Sequence, residues 1–292
     1  MNILYIGLNA CKNMALPLEL KKVADNFAEV NIGARMEEGI KEAARAVMPD
    51  LTFIHVQCAQ IIPVELITYL KSFGKVMNWT GDVRQPIPFW YEQMSSVDIT
   101  LFSNWYDVHL FRKNYKADFL QIGYDEKIFR PKEIVKDIDV VFMANNYAQF
   151  PNSKHREQLA KDLFRNHKAK IYGFGWNGIA AGNLNSYWQQ EADIYHRAKI
   201  AINYSNFTRE GYTSDRMHRI LGCGTFCLSH YFKGVEEYQV ETFMNDLDEK
   251  INYYLTHDDE REQKARQGYE FIRNNMTYAH MVKNILKIYE SL

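Results

Sequence analysis

The stretch 203–237, NYSNFTREGYTSDRMHRILGCGTFCLSHYFKGVEE, gathers the residue types best suited to chemistry. Glu210 and His218 stand eight positions apart, with Arg216 between them. A strand-like run reaches Tyr204, a polar loop follows, and a short helix is predicted over 215–222. That order builds a place for an anion, because unpaired N–H groups and the positive end of the helix dipole face the loop. The backbone of Gly211, Tyr212, Thr213 and Ser214 lines it, and Arg216 in the first turn adds a charge-assisted fork. Asp215 suits the dipole but repels a phosphate unless it turns outward.

A second set follows a predicted strand at 76–79, where the chain reads NWTGDVR from Asn78 to Arg84. Asp82 accepts from polyol hydroxyls, Arg84 donates, and Trp79 offers a ring face. The bland alternative is a surface turn with an Asp–Arg pair. Asn9, after the first strand, either bonds a ligand or closes a plain turn, and no G-x-G-x-x-G accompanies it. Ala144-Asn-Asn146 ends another strand. Gly173-Phe-Gly175-Trp176 ends the next one, where glycines permit close backbone approach. Trp176 either stacks on a ligand ring or plugs the domain. A helix expected from Ser153, its N-cap, carries Lys154, Arg156, Lys161, Arg165, Lys168 and Lys170. That row is a solvated face or a track for a nucleic-acid backbone. His218 and His230 lack an Asp-x-Asp companion at a strand end, and Asp246-Leu-Asp248 reads as a helix N-cap, so no metal is expected.

The elements that must position these residues alternate regularly. In the first half, strands are predicted at 2–7, 51–56, 76–79, 98–102 and 119–122, with helices at 18–30, 35–47, 64–73 and 105–115. The second half repeats the alternation. Its strands are placed at 139–143, 170–172, 200–204, 225–229 and 241–243. Its helices are placed at 153–165, 187–198, 215–222, 248–256 and 259–274. A last helix at 278–290, capped by Thr277, shows the apolar period Met281, Ile285, Ile288. Such alternation implies two mainly parallel, doubly wound α/β domains. The charged, Pro-containing stretch near 131 marks the boundary. We expect a first domain over 1–131, a second over 132–275, and a terminal segment 276–292 returning to the first.

The 292 residues are 47% hydrophobic and 24% charged, with 7 Pro, which is a globular composition for two domains. The net charge of −1 gives no global attraction to nucleic acid or anionic membrane. Cys11, Cys58, Cys223 and Cys227 fit no zinc spacing and read as packing residues in a reducing compartment. No apolar run is long enough for a spanning helix, and the N-terminus lacks a leader pattern; a cytoplasmic protein is expected.

Glu210, Gly211, Tyr212 and Arg216, with Gly173, Gly175 and Trp176 and the G-x-D-x-x-x-F-x-P run at 123–131, resemble GT-B glycosyltransferases of the E-x7-E type, and the CgeB-like group in particular. The resemblance covers the second half of the chain best. It implies two Rossmann-like domains facing across a cleft and transfer of a sugar from a nucleotide-diphospho-sugar, with UDP favoured over GDP, to a hydroxyl. It implies retention of configuration and no metal cofactor. Glu210 then lies near the donor sugar, Arg216 and the helix start hold the diphosphate, Lys154 and Arg156 help neutralise it, and residues 173–176 lie against the base. His218 replaces the carboxylate that bonds the ribose. Asn9, Trp79, Asp82 and Arg84 would face the acceptor, with Asp82 as general base if the reaction inverts. The acceptor is open among glycan, protein, small molecule and hydroxylated nucleobase, as is the oligomeric state. The alternatives are a non-catalytic nucleotide- or glycan-binding protein and a nucleotide-sugar epimerase.

Overall fold

Near-continuous apolar runs such as Leu51–His55 and Ile99–Phe102 suit strands covered on both faces, and every residue of both is buried. The computed structural model describes residues 1–8, 15–32, 36–55, 62–83, 96–182 and 188–292. The chain divides into two units: Met1–Gly123 with Tyr278–Leu292, and Tyr124–Thr277.

The first unit holds strands β1 (Asn2–Leu8), β2 (Asn26–Ile32), β3 (Leu51–His55), β4 (Lys75–Thr80), β5 (Ile99–Phe102) and β6 (Ala117–Phe119). They form one parallel sheet in the order β2-β1-β3-β4-β5-β6. Helices α1 (Leu16–Val23), α2 (Met36–Val47), α3 (Val64–Lys71) and α4 (Trp105–Phe111) belong to this unit. Successive residues alternate between two cores. Leu4, Ile6 and Val76 join one, while Ile3, Tyr5, Met77 and Trp79 join the other.

The second unit holds β7 (Ile138–Met143), α5 (Ser153–His167), β8 (Lys170–Tyr172), β9 (Ala180–Gly182), α6 (Trp188–Arg197), β10 (Ala198–Asn203), α7 (Asp215–Gly222), β11 (Phe226–His230) and β12 (Glu241–Phe243). A second parallel sheet runs β12-β11-β10-β7-β8-β9. Helices α8 (Leu247–Thr256) and α9 (Asp258–Asn275) follow. The last helix, α10 (Tyr278–Glu290), belongs to the first unit, where Met281, Val282 and Ile285 pack with Ile3, Tyr5 and Trp79.

Three local expectations are corrected. Residues 18–30 do not form one helix: α1 stops at Val23, Ala24 turns extended, and Asn26–Ile32 pairs in parallel along all of β1. The apolar spacing there serves a helix, yet a full ladder of sheet hydrogen bonds outweighs local propensity. The short strand β9 and a 3₁₀ turn at Val235–Tyr238 were not foreseen. Asn152, not Ser153, is the N-cap of α5, and its side chain makes no cap bond. That amide donates instead to the Ser205 carbonyl (3.1 Å) and Thr208 Oγ1 (3.0 Å), tying the start of α5 to the loop after β10.

Candidate functional site

Ligands of parallel α/β sheets bind beyond the carboxyl ends of the strands. In the second unit that edge carries the loops after β7, β8 and β10, together with the starts of α5 and α7. Arg156 and Arg216 stand there. Arg156, in the first turn of α5, has no exposed surface, and Arg216, in the first turn of α7, is half-buried. Both lie over the Phe142 ring, at 5.7 and 5.9 Å from its centroid, and Arg156 also lies 5.6 Å from the Trp176 ring.

Their bonding is made with neutral acceptors. Arg156 Nη1 donates to the Asn145 carbonyl at 3.1 Å and to Asn206 Oδ1. Its Nε and Nη2 are buried without a hydrogen-bond partner among the described residues. Arg216 Nε donates to the Met143 carbonyl (2.5 Å), and its Nη1 to Asn203 Oδ1 and the Tyr204 carbonyl, both 3.3 Å. Burial, and next the charge of Arg216, pull the Arg156 guanidinium down to about 9. A buried cation with unused donors is costly unless something anionic meets it. Asp215 does not occupy that role. Its carboxylate is turned onto Arg219 Nη2 (2.5 Å), which also holds Glu191 (2.8 Å).

The loop from Glu210 to Ser214 is already partly bonded. The Gly211 N–H donates to the Lys233 carbonyl (2.8 Å), that of Tyr212 to Arg209 (3.1 Å), and that of Ser214 to Ser205 Oγ (3.3 Å). The N–H groups near 211–216 left to an anion are therefore chiefly those of the first helical turn. Ser214 Oγ is buried there without a hydrogen bond among the described residues, and the Thr213 hydroxyl lies 3.5 Å from the Asn203 amide. Glu210 is paired with Lys233 Nζ at 2.8 Å.

Several expected contacts fall elsewhere. Trp176 is a plug: it is 2% exposed, and its indole N–H donates to the Ala144 carbonyl (2.7 Å). Gly173 (φ +114°) and Gly175 (φ +81°) serve a loop–loop contact. An added Cβ would stand 1.9 Å from the Ala144 carbonyl and 2.3 Å from that of Asn146. His218 is fully buried, with its ring stacked 5.6 Å from Tyr238, so it presents no group to a ribose. It lies on the inward face of α7, which the eight-residue spacing alone did not reveal. Lys154 is exposed at the start of α5, while Lys161 pairs with Glu157 and Arg165 with Asp162, which removes much of the expected basic track. Asp246 caps α8.

In the first unit Trp79 is core, not a ring platform: it is wholly buried and donates to the Leu120 carbonyl (2.9 Å). Asp82 is half-buried just past the carboxyl end of β4, and its carbonyl accepts from Thr80 at 3.4 Å. Asn9, Arg84, Cys11 and Cys58 lie outside the described residues. Among those described, no cluster of three or more His, Cys, Asp or Glu is placed to hold a metal, and no helix is long and apolar enough to cross a membrane.

Sequence reasoning gave no role to Asn203, Asn206, Lys233 or Phe174. The first two are ordinary loop and strand-end residues in the sequence; only the fold brings them to Arg156 and Arg216.

Known proteins share this sequence pattern and this architecture. Residues 154–287 match a family described as Glycosyl transferase-like. No curated protein matches the chain in sequence. Among solved structures the chain resembles an alpha1,3-fucosyltransferase, with TM-score 0.60 and 13% identity over 99% of this chain and 90% of that one. It also resembles the lipopolysaccharide outer core galactosyltransferase WaaB in its apo form, with TM-score 0.55 and 12% identity over 100% of both chains. The GtfA/B complex gives TM-score 0.52 and 10% identity over 88% of this chain and 60% of that one. The chain thus spans less than two thirds of the GtfA/B chain it matches. These likenesses show the fold: two six-stranded parallel sheets with their helices form an α/β fold of the GT-B glycosyltransferase kind, and residues 154–287, most of the second unit and part of the last helix, carry a glycosyl transferase-like sequence.

Proposed function

We propose that the chain is a glycosyltransferase that moves a hexosyl or pentosyl group from a nucleotide-diphospho-sugar to a hydroxyl acceptor, with retention of configuration. The observation that carries this is the pair of Arg156, buried, and Arg216, half-buried, at the strand ends, where the printed bonds of both go to neutral acceptors among the described residues. A diphosphate meets that need: its oxygens take the unused Arg156 donors and the first-turn N–H groups of α7. The same charges stabilise the diphosphate as it departs, where catalysis without a metal must act. Glu210, held by Lys233, stands near the donor sugar. The solved fucosyltransferase has bound GDP and GDP-fucose, and a pneumococcal O-GlcNAc transferase GtfA has bound UDP and GlcNAc. Either nucleotide suits the charge pair, and UDP is our choice.

The narrower likeness to the CgeB-like group rests on 173–176 and 210–216. We assign the acceptor to the first unit, through Asp82, and the acceptor itself to the class of hydroxyl compounds. The free, buried Cys223 and Cys227 suit a reducing cytoplasm.

One observation favours a second reading, a binder without transfer: His218 is sealed under Tyr238 where the resemblance puts a ribose-binding carboxylate. Slow hydrolysis of UDP- or GDP-sugars, measured without acceptor, separates the two. Glu210→Ala and Arg216→Ala should each lower turnover about a hundredfold, the scale of one lost transition-state contact. Unchanged rates in both variants overturn the site, and binding without any hydrolysis selects the binder.

A further inference from the structure

Arg156 and Arg216 stand in the first turns of α5 and α7, and the two turns differ in their acids. The first turn of α5 holds none, whereas α7 begins on Asp215. A carboxylate at the start of a helix competes with any bound anion, because the same dipole and the same unpaired N–H groups favour both. Asp215 is also the chain neighbour of Arg216. Its carboxylate is bonded instead to Arg219 Nη2 at 2.5 Å, one turn along the same helix.

An exposed pair at that spacing is a weak tie. This one is reinforced from a second helix. Arg219 Nη1 donates to Glu191 Oε2 at 2.8 Å, in the first turn of α6, and the guanidinium lies 5.5 Å from the centroid of the Phe129 ring. The Arg219 and Glu191 side chains are 15% and 12% exposed, against 37% for Asp215. Glu191 and Phe129 thus already fix the cation, and little side-chain freedom is left to lose when Asp215 joins it. Burial raises the Glu191 carboxyl, and the charges of Arg219, Asp215 and Arg216 all reach it. The three-residue cluster therefore lies within electrostatic range of Arg216.

We propose that Arg219 is a positioning residue for diphosphate binding: anchored by Glu191, it draws the Asp215 carboxylate off the start of α7 and keeps that end of the helix open to an anion. This rests on the diphosphate reading of the Arg156–Arg216 pair. Without Arg219, Asp215 is free to accept from the first-turn N–H groups of its own helix and to pair with Arg216. The carboxylate then takes the donors, and one of the two cations, that the ligand needs.

The test is a double-mutant cycle on Asp215 and Arg219, read by calorimetric titration of the full chain with inorganic pyrophosphate. It is run in a Glu191→Gln background, where Gln keeps an acceptor for Arg219 Nη1 and no variant leaves a buried carboxylate without its cation. Thermal unfolding confirms that each variant is folded, and Arg219→Gln replaces Arg219→Met if the latter is not. Arg219→Met should weaken pyrophosphate by on the order of tenfold, as a carboxylate comes within reach of the ligand. Asp215→Asn should change affinity by less than about twofold while Arg219 is present, and raise it about tenfold once Arg219 is Met. An equal gain from Asp215→Asn in both backgrounds would make Arg219 a distant charge and overturn the inference. So would unchanged affinity in Arg219→Met. In both cases wild-type binding of pyrophosphate leaves the diphosphate reading standing. A wild type that binds neither pyrophosphate nor UDP overturns both.

Discussion

Replacing Arg156 by Met should stabilise the free protein and silence its response to diphosphates. The folded state holds this guanidinium at about 9 rather than its ordinary 12.5, first through burial and then through Arg216. At 1.36 kcal/mol per pKa unit, keeping it charged costs the folded state on the order of 5 kcal/mol at neutral pH. The sign follows from proton binding: the unfolded chain holds this proton more tightly, so charging it favours unfolding. Met removes that cost and keeps the packing over Phe142 and Trp176, where sulfur meets aromatic faces well. It also strips a donor from the Asn145 carbonyl and Asn206 Oδ1, at about 1–3 kcal/mol if either stays dry. The balance is a gain of about 2–4 kcal/mol. At about 2–4 °C per kcal/mol for a domain of this size, Tm should rise by several degrees.

Differential scanning calorimetry in the presence and absence of UDP or pyrophosphate reads both effects. A ligand at a hundred times its dissociation constant adds about 2.7 kcal/mol to the wild type, and should add little to Arg156→Met. A lower Tm in the variant with the ligand shift intact would show that Arg156 is a structural cation and refute the reasoning.

Burial holds His55 neutral down to about 3, so its contribution to stability is complete above its ordinary 6.5 and declines as pH falls from there. Acid unfolding midpoints should therefore show His55→Phe losing about 2 kcal/mol less than wild type between pH 6.5 and 5, and parallel curves for the two proteins would exclude this. Trp176→Ala should cost the second unit about 3–5 kcal/mol through its cavity, with Trp176→Phe much milder. A Trp176→Ala protein of normal stability and weakened nucleotide binding would return that ring to the ligand.

The fold class was readable because strand and helix periods alternate, and local end signals did the rest. The helix Asp215–Gly222 was placed to the residue, since a polar loop precedes it and Gly222-Cys-Gly224 stops it. Where neighbours along the chain do not decide, the sequence was silent. Asn26–Ile32 carries apolar residues at helical spacing and becomes an edge strand only because β1 is there to pair with it. His218 obeys its motif spacing, yet one more residue around the helix turns it from the loop to the Tyr238 face.

Arg156 was assigned to the diphosphate by resemblance, and the sequence also held a physical signal for its burial. On composition, α5 is a basic, solvated helix, and Arg156 is one cation in a row. Its buried positions are Ser153, Arg156, Ala160 and Leu163, at spacings of three and four. Those spacings trace one stripe, and a stripe is what a helix turns to its sheet. A charged residue in that stripe must therefore be buried, and a buried charge needs a counter-charge or a ligand. Asn206, its side-chain partner, is fifty residues away and neutral, so the described residues supply a hydrogen bond but no carboxylate on it. Position on the helix thus dictates the burial, burial creates the need, and the need that the protein leaves unmet is the strongest argument that an anion belongs at the ends of β7 and β10.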